Sequence, residues 1–305
     1  MKENNSKRRP SVSIIIPCYN QGHYISEALE SVIRQTYQNW EAIIVNDGST
    51  DSTSHFVREF IQKHPSLDIF LLEKENGGLA RARNYGIEHA RGKFILPLDS
   101  DDKIDSRMLE KCVHVLEENT SVSIVYTDQQ NFGLNGNLLT TRNYNFKKLL
   151  DDNHLVYCSL YRREIWEKVN GYKPCMKWGY EDWEFWIATG EKGYYGIRIP
   201  EPLFFYRVRD SSMYSNALAH DLELHAQIVI NHPNLFSANV VRLGKRLIDL
   251  PNATDEKQIS SIFIFTKYLF GMSLAYNVGN ISKIVHNAIN YALEVIRYIV
   301  HRNKP

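Results

Sequence analysis

Phe94-Ile95-Leu96-Pro97-Leu98-Asp99-Ser100-Asp101-Asp102 runs an apolar stretch straight into three carboxylates within four positions. The apolar part reads as a buried strand. A strand that ends this way delivers acidic side chains to the carboxyl edge of a sheet, where open α/β sheets bind their ligands. Like charges so close repel and call for a counter-charge. A hard divalent cation, Mn²⁺ or Mg²⁺, takes oxygen ligands and leaves positions for water or a substrate phosphate. Two plainer readings compete. One is a solvated loop in which Asp105 or Ser106 caps a helix running to Glu118. The other is a calcium loop counted from Asp99. It fails, because its fifth position is Lys103 and its sixth, where the turn needs glycine, is Ile104. Taken alone, the cluster leaves metal site and capped loop level.

The surrounding chain alternates. Val12–Ile16, Ala42–Val45, Ile69–Leu72, Phe94–Leu98 and Ser123–Tyr126 are short β-branched or apolar runs that read as strands. Helical patterns fill the gaps at His23–Arg34, Ser52–His64, Leu79–Ala90 and Met108–Glu118. This order predicts an α/β fold with a mostly parallel, Rossmann-like central sheet flanked by helices. Four strands end in polar or glycine-rich loops: Pro17-Cys18-Tyr19-Asn20, Asn46-Asp47-Gly48-Ser49, Glu75-Asn76-Gly77-Gly78 and the aspartate cluster. All four loops belong at one edge, where a crevice is expected. The first of them, Pro17-Cys18-Tyr19-Asn20-Gln21-Gly22, has a single glycine, so it is no dinucleotide fingerprint, and no Walker sequence occurs. A phosphate here would be held by a metal rather than by a glycine cradle.

The bulk numbers are those of an ordinary globular protein: 43% hydrophobic and 23% charged residues in 305. A net charge of +1 gives no pull toward nucleic acid. Cys18, Cys112, Cys158 and Cys175 lack zinc spacing and read as buried small hydrophobes in a reducing compartment. The first ten residues are polar and basic, and no apolar stretch reaches the ~20 residues of a membrane span. A cytoplasmic protein is expected.

Further motifs are each ambiguous. Asp47 is placed to accept hydrogen bonds from a ligand, yet Asp-Gly-Ser is also turn chemistry, with Asp51 as a cap. Tyr19 offers a face for a stacked base, or is an edge tyrosine. Gly77-Gly78 opens a helix bearing Arg81 and Arg83; helix starts and arginine forks both hold phosphate, while the arginine facing away is a solvated charge. Gly179-Tyr180-Glu181-Asp182-Trp183-Glu184-Phe185-Trp186 sets two carboxylates at the head of an aromatic helix, and apolar surroundings raise a carboxyl toward general-base range. Tyr206-Arg207-Val208-Arg209 ends an apolar strand with two arginines fit to close over a diphosphate.

In this order and spacing, from Ser11 to about Met213, the segments resemble an inverting family 2 glycosyltransferase of the GT-A type. The resemblance implies a nucleotide-diphosphate sugar donor, UDP-linked, and a glycan or lipid-linked acceptor. It implies Pro17, Tyr19 and Asn20 around the base, Asp47 facing a uracil-type N–H, and Gly78, Arg83, Arg207 and Arg209 along the donor. Asp99 would serve the ribose or sugar side and the metal, Asp101 would be the main ligand of a divalent cation (Mn²⁺ or Mg²⁺), and Asp182, beside Glu181, would be the base. Many relatives carry a metal-binding histidine where this chain has Arg209.

The implied organisation is a basic disordered N-terminus over 1–10, a glycosyltransferase domain over 11–214 and a helical region over 215–305. Within the domain, 11–130 would bind the nucleotide sugar and 131–214 the acceptor. The amphipathic stretch Ile281–Val300 would pack on the catalytic domain or on a second subunit, as in a homodimer, or rest on the inner face of the membrane. A non-catalytic nucleotide-sugar-binding scaffold and a metal-dependent nucleotidyltransferase are the rival functions.

Overall fold

The computed structural model describes residues 9–210, 213, 217, 218 and 220–248. The expected disordered N-terminus, but for its last two residues, and the stretch Ile281–Val300 lie outside the described residues.

The first half winds as the alternation predicts. Strands β1 (Val12–Cys18), β2 (Trp40–Asp47), β3 (Ile69–Lys74) and β4 (Phe94–Pro97) alternate with helices α1 (Gly22–Ile33), α2 (Thr53–Lys63) and α3 (Leu79–Glu88). The strands lie parallel in the order β3-β2-β1-β4. Every residue of β1, β2 and β4 is buried, which explains their unbroken apolar runs: a parallel strand is covered on both faces. Helix α1 buries Ile25, Ala28, Leu29 and Val32 at helical spacing. Helix α3 packs tightly on the sheet. A Cβ added at Gly86 would lie 2.6 Å from Ile15 Cγ2 and 3.0 Å from Val45 Cγ2.

The second half departs from the parallel pattern. After β5 (Lys103–Ile104) and α4 (Met108–Glu118) come β6 (Ile124–Gly133), β7 (Leu138–Leu139), α5 (Phe146–Leu149), β8 (Leu160–Arg162), α6 (Arg163–Val169), α7 (Glu181–Glu191) and β9 (Gly196–Val208). Strand β8 pairs antiparallel with both β4 and β6, and β9 lies parallel to β6 and antiparallel to β5. The sheet therefore runs β3-β2-β1-β4-β8-β6-β9-β5, with β7 added to β6; its long ladders are parallel, as expected, and the antiparallel joins at β8, β5 and β7 are short. Short apolar runs announce strands without announcing their direction. The β6–β9 ladder slips around Asp128, where Thr127 faces Ile199 but Asp128 faces Pro202. Pro200 and Pro202 lack the N–H a ladder needs, and the strand bulges there.

Contacts divide the described chain into two compact units. The first holds the sheet and comprises the residues up to 144, 154–177 and 181–210; the second takes 145–153, 178–180 and the residues after 210. Within the second, α8 (Asp221–Asn231) and α9 (Ala238–Ile248) close over Leu222, Ala226, Val229 and Val240. Among the described residues no helix is long and apolar enough to cross a membrane. Cys18, Cys112 and Cys158 are buried as expected. Cys175 is exposed, in the irregular segment between α6 and α7 where the backbone runs along the surface.

Gly86 is a packing requirement rather than a flexible point. We expect Gly86→Ala to cost about 1–3 kcal/mol through overpacking against Ile15 and Val45, read as a lower urea midpoint with an unchanged slope.

Candidate active site

The parallel register brings the four strand ends to one edge. Pro17 is buried within β1 opposite Val45, and Tyr19 comes just after the strand, exposed. Asn20 takes a left-handed backbone (φ 53°) and ties two loops together: its N–H donates to Ser49 Oγ at 2.9 Å, and its Oδ1 accepts from the Thr50 N–H at 2.8 Å. Asp47, the last residue of β2, is buried, with Lys74 Nζ at 2.5 Å and the N–H groups of Gly77 and Gly78 donating at 3.0 and 2.8 Å. That carboxylate holds the turn that starts α3. Gly78 has φ +85° with open space around it, so the demand for glycine here is conformational.

Helix α3 then turns Arg81 outward and Arg83 inward. The Arg83 side chain is 1% exposed; its Nη2 donates to Asp99 Oδ1 at 2.8 Å and its Nη1 to Glu181 Oε1 at 2.6 Å. The guanidinium lies 5.0 Å from the Tyr157 ring centroid and 5.5 Å from that of Tyr172. Burial works against its charge, but Asp99 and Glu181 outweigh burial and hold the Arg83 pKa well above the ordinary value.

Beyond β4 the three aspartates separate. Asp102 is buried, accepting from Tyr157 Oη at 2.6 Å and from the Arg207 N–H at 2.6 Å. Burial, then Asp101 and Asp99, push its carboxyl well above the usual range. Tyr157 Oη also accepts from the Asp99 N–H at 2.9 Å. Asp101 pairs with Arg209 Nη2 at 2.8 Å, and its pKa is raised by burial and then by Asp99, against the pull of Arg209.

The two-residue ladder of β5 with β9 explains these contacts. Lys103 faces Phe205 and Ile104 faces Phe204, so the end of β9 lies along the aspartate loop. Arg207 and Arg209, two apart on an extended chain, share a face. Arg207 Nε donates to the Asp101 carbonyl at 2.8 Å and Nη2 sits 2.9 Å from Glu27, with the guanidinium over Tyr24 and Phe132.

Helix α7 opens with Glu181, buried on Arg83, and Asp182, half-buried. Burial pushes the Glu181 carboxyl up to about 7 against the pull of Arg83, and Asp182 beside it adds to the rise. The preceding Gly179 and Tyr180 have φ of 135° and 60°; a tyrosine in that region is strained.

Asp99 and Asp101 are oxygen donors of the kind Mg²⁺ and Mn²⁺ take. Among the described residues no three His, Cys, Asp or Glu side chains are grouped to hold a metal by themselves. Asp99 and Asp101 could give a cation the one or two carboxylates that such a site takes beside substrate phosphates.

The family model described as glycosyl transferase family 2 matches residues 13–179, more than half of the chain. The chain belongs to this family. The minor teichoic acid biosynthesis protein GgaB of Bacillus subtilis (strain 168) is 28% identical over 84% of the chain and 28% of its own length. The chondroitin synthase of Escherichia coli is 30% identical over 61% of the chain and 27% of its own length. The chain thus spans less than a third of these relatives. In fold it is similar to S. aureus TarS 1-349 in complex with UDP-GlcNAc, with TM-score 0.61, 18% identity, and 94% of this chain and 92% of that one covered. It is likewise similar to the mannosyltransferase PcManGT of Pyrobaculum calidifontis in complex with GDP-Man and Mn²⁺, with TM-score 0.59, 20% identity and coverage of 98% and 89%. The fold is that of the GT-A glycosyltransferases.

In this family 2 domain Pro17, Tyr19, Asn20, Asp47, Gly78, Asp99 and Asp101 lie at or just beyond the carboxyl ends of the strands, and Arg83, Arg207 and Arg209 bond to the aspartate loop, while Asp182 is placed only by its position next to Glu181 on α7. Arg83 bonds to both Asp99 and Glu181. Sequence reading missed Tyr157, Tyr172, Lys74 and Glu27. Only the aromatic density of the middle section hinted at the two tyrosines, and nothing local marked the other two.

This charge arrangement makes stability sensitive to one substitution and to pH. Arg83→Met strands Asp99 and Glu181 without their cation, and we expect a loss of about 3–5 kcal/mol in urea unfolding. The carboxyls of Glu181, raised to about 7, and Asp151, raised to about 6 by burial and Asp152, keep their protons to higher pH in the folded chain than in the unfolded one. Stability therefore falls as pH rises from the unfolded carboxyl values, about 4, through these raised values, and levels off above them. Thermal melts of the ligand-free chain should lie higher at about pH 5.5 than at about pH 8.

Proposed function

We propose that the chain moves a sugar from a nucleotide-diphosphate sugar, UDP-linked, to a hydroxyl of a glycan or lipid-linked glycan, with inversion at the anomeric carbon. The observation that supports this reading is the chain of contacts from Asp99 through Arg83 to Glu181, which ties the head of α7, where Asp182 follows Glu181, to the loop after β4. The complexes of the neighbours support a nucleotide donor: TarS with UDP and with UDP-GlcNAc, PcManGT with GDP-Man. The names of GgaB and the chondroitin synthase support a glycan product.

Asp101, with Asp99, would hold the divalent cation, which when bound supplies positive charge to the leaving diphosphate. Arg209 adds a second positive group at the same place. Tyr19 offers its exposed face to the base. Asp182 accepts the proton of the acceptor hydroxyl as that oxygen attacks the anomeric carbon. The bond from that carbon to the diphosphate breaks, its electron pair leaving with the nucleoside diphosphate. One displacement from the opposite face inverts the configuration. Glu181, committed to Arg83, leaves the base role to its neighbour.

Purified chain incubated with Mn²⁺ and a panel of UDP-sugars and acceptors should release a nucleoside diphosphate; release of pyrophosphate would mark a nucleotidyltransferase instead. Asp182→Asn should lower turnover by about 10²–10⁴-fold with donor affinity unchanged by calorimetry. Transfer at the parent rate in that variant would sink the base assignment.

A further inference from the structure

The Arg209–Asp101 pair has two sides. On one, the guanidinium occupies Asp101 Oδ2 at 2.8 Å, the carboxylate that the donor-site reading gives to the cation. On the other, Arg209 Nε is a buried donor with no hydrogen-bond partner among the described residues, although its guanidinium lies 5.5 Å from the centroid of the Tyr24 ring. A buried N–H left bare is costly, and an anionic oxygen is its natural complement. The neighbouring Arg207 is differently employed. Its Nε and its backbone N–H hold the aspartate loop, and its Nη2, though it makes no hydrogen bond among the described residues either, is ion-paired with Glu27 at 2.9 Å. Arg209 is also the more exposed of the two, its side chain 29% accessible against 13%.

We propose that Arg209 is a lock on the cation site. In the free chain it neutralises Asp101 and excludes a divalent cation, both by occupying the carboxylate and by repelling like charge. The donor's diphosphate supplies oxygens that draw Arg209 away and satisfy Nε, and only then is Asp101 open. Cation and nucleotide therefore bind as one unit, each tightening the other by the same factor, as linkage requires. This deepens the donor-site reading above and rests on it. A chain built this way does not load metal in the absence of substrate, however much Mn²⁺ surrounds it.

The test measures Mn²⁺ binding to the full chain by the electron paramagnetic resonance signal of free Mn²⁺, with and without UDP, against Mn²⁺–UDP in buffer as the blank. The parent chain should bind Mn²⁺ weakly alone and tightly with UDP. Arg209→Ala should bind Mn²⁺ alone about tenfold tighter, the lower end of what an adjacent opposite charge does to a carboxylate's occupancy. The tightening by UDP should shrink by the same factor. Arg209→Gln, which keeps the packing over Tyr24 without the charge, should behave like Arg209→Ala, and Asp101→Asn should lose Mn²⁺ binding in both conditions. Parent and Arg209 variants that bind Mn²⁺ alone equally well would overturn the lock and leave the donor site standing. A parent chain that UDP neither stabilises in thermal melts nor loads with Mn²⁺ would take down the donor site and the lock together.

Discussion

One buried guanidinium governs the arrangement of this site. Arg83 is sealed between the Tyr157 and Tyr172 rings and shared by Asp99 and Glu181, carboxylates that reach it from the loop after β4 and from α7. A charge so deep is tolerable only with its partners in place. The planar fork of an arginine, unlike a lysine ammonium, addresses both at once. The loop after β4 and the head of α7 are thus held together by a single ion. Gly86, one turn on in α3, lets that helix approach β1 and β2 closely enough for Arg83 to sit where it does.

A second constraint is the two-residue ladder between β5 and β9. It is short, yet it lays a strand that starts far away in sequence along the aspartate loop, so that Arg207 braces the loop's backbone and Arg209 meets Asp101. The three aspartates, alike in sequence, thereby acquire different surroundings. Asp102 becomes an internal strut for Tyr157 and Arg207, and Asp99 is half committed to Arg83. Asp101 faces a group whose own hydrogen bonding is incomplete.

What was legible in the sequence is what local patterning determines. Apolar runs and helical spacing located β1 to β4 and α1 to α3, and the polar loops after those strands marked the ligand edge. Long-range partnership was not legible. The run Ser123–Tyr126 reads as another parallel strand, and β6 does lie parallel to β9, but the short antiparallel β8 that comes between it and β4 depends on connections of dozens of residues. Helical spacing showed that one of Arg81 and Arg83 must face inward. It could not show that the inward one would meet Glu181, 98 positions on. Lys74 and Glu27 were invisible for the same reason, since a charged residue at a strand end or on a helix surface carries no local sign of its partner.

The bulge at Pro200–Pro202 gives this domain an uneven tolerance to changes in length. Downstream of it, β9 is held on one side by β6 and on the other by β5, with no slack before Arg209. Inserting one residue there would turn both arginines to the opposite face of the sheet and put Tyr206 and Val208 in their place; deleting one would put Val208 and Asp210 there. At the exposed Asn135-Gly136 turn, where β6 folds back onto β7, an extra residue only lengthens a loop. Descendants of this chain are therefore free to vary in length at the hairpin and are held to a fixed count between the prolines and the arginines.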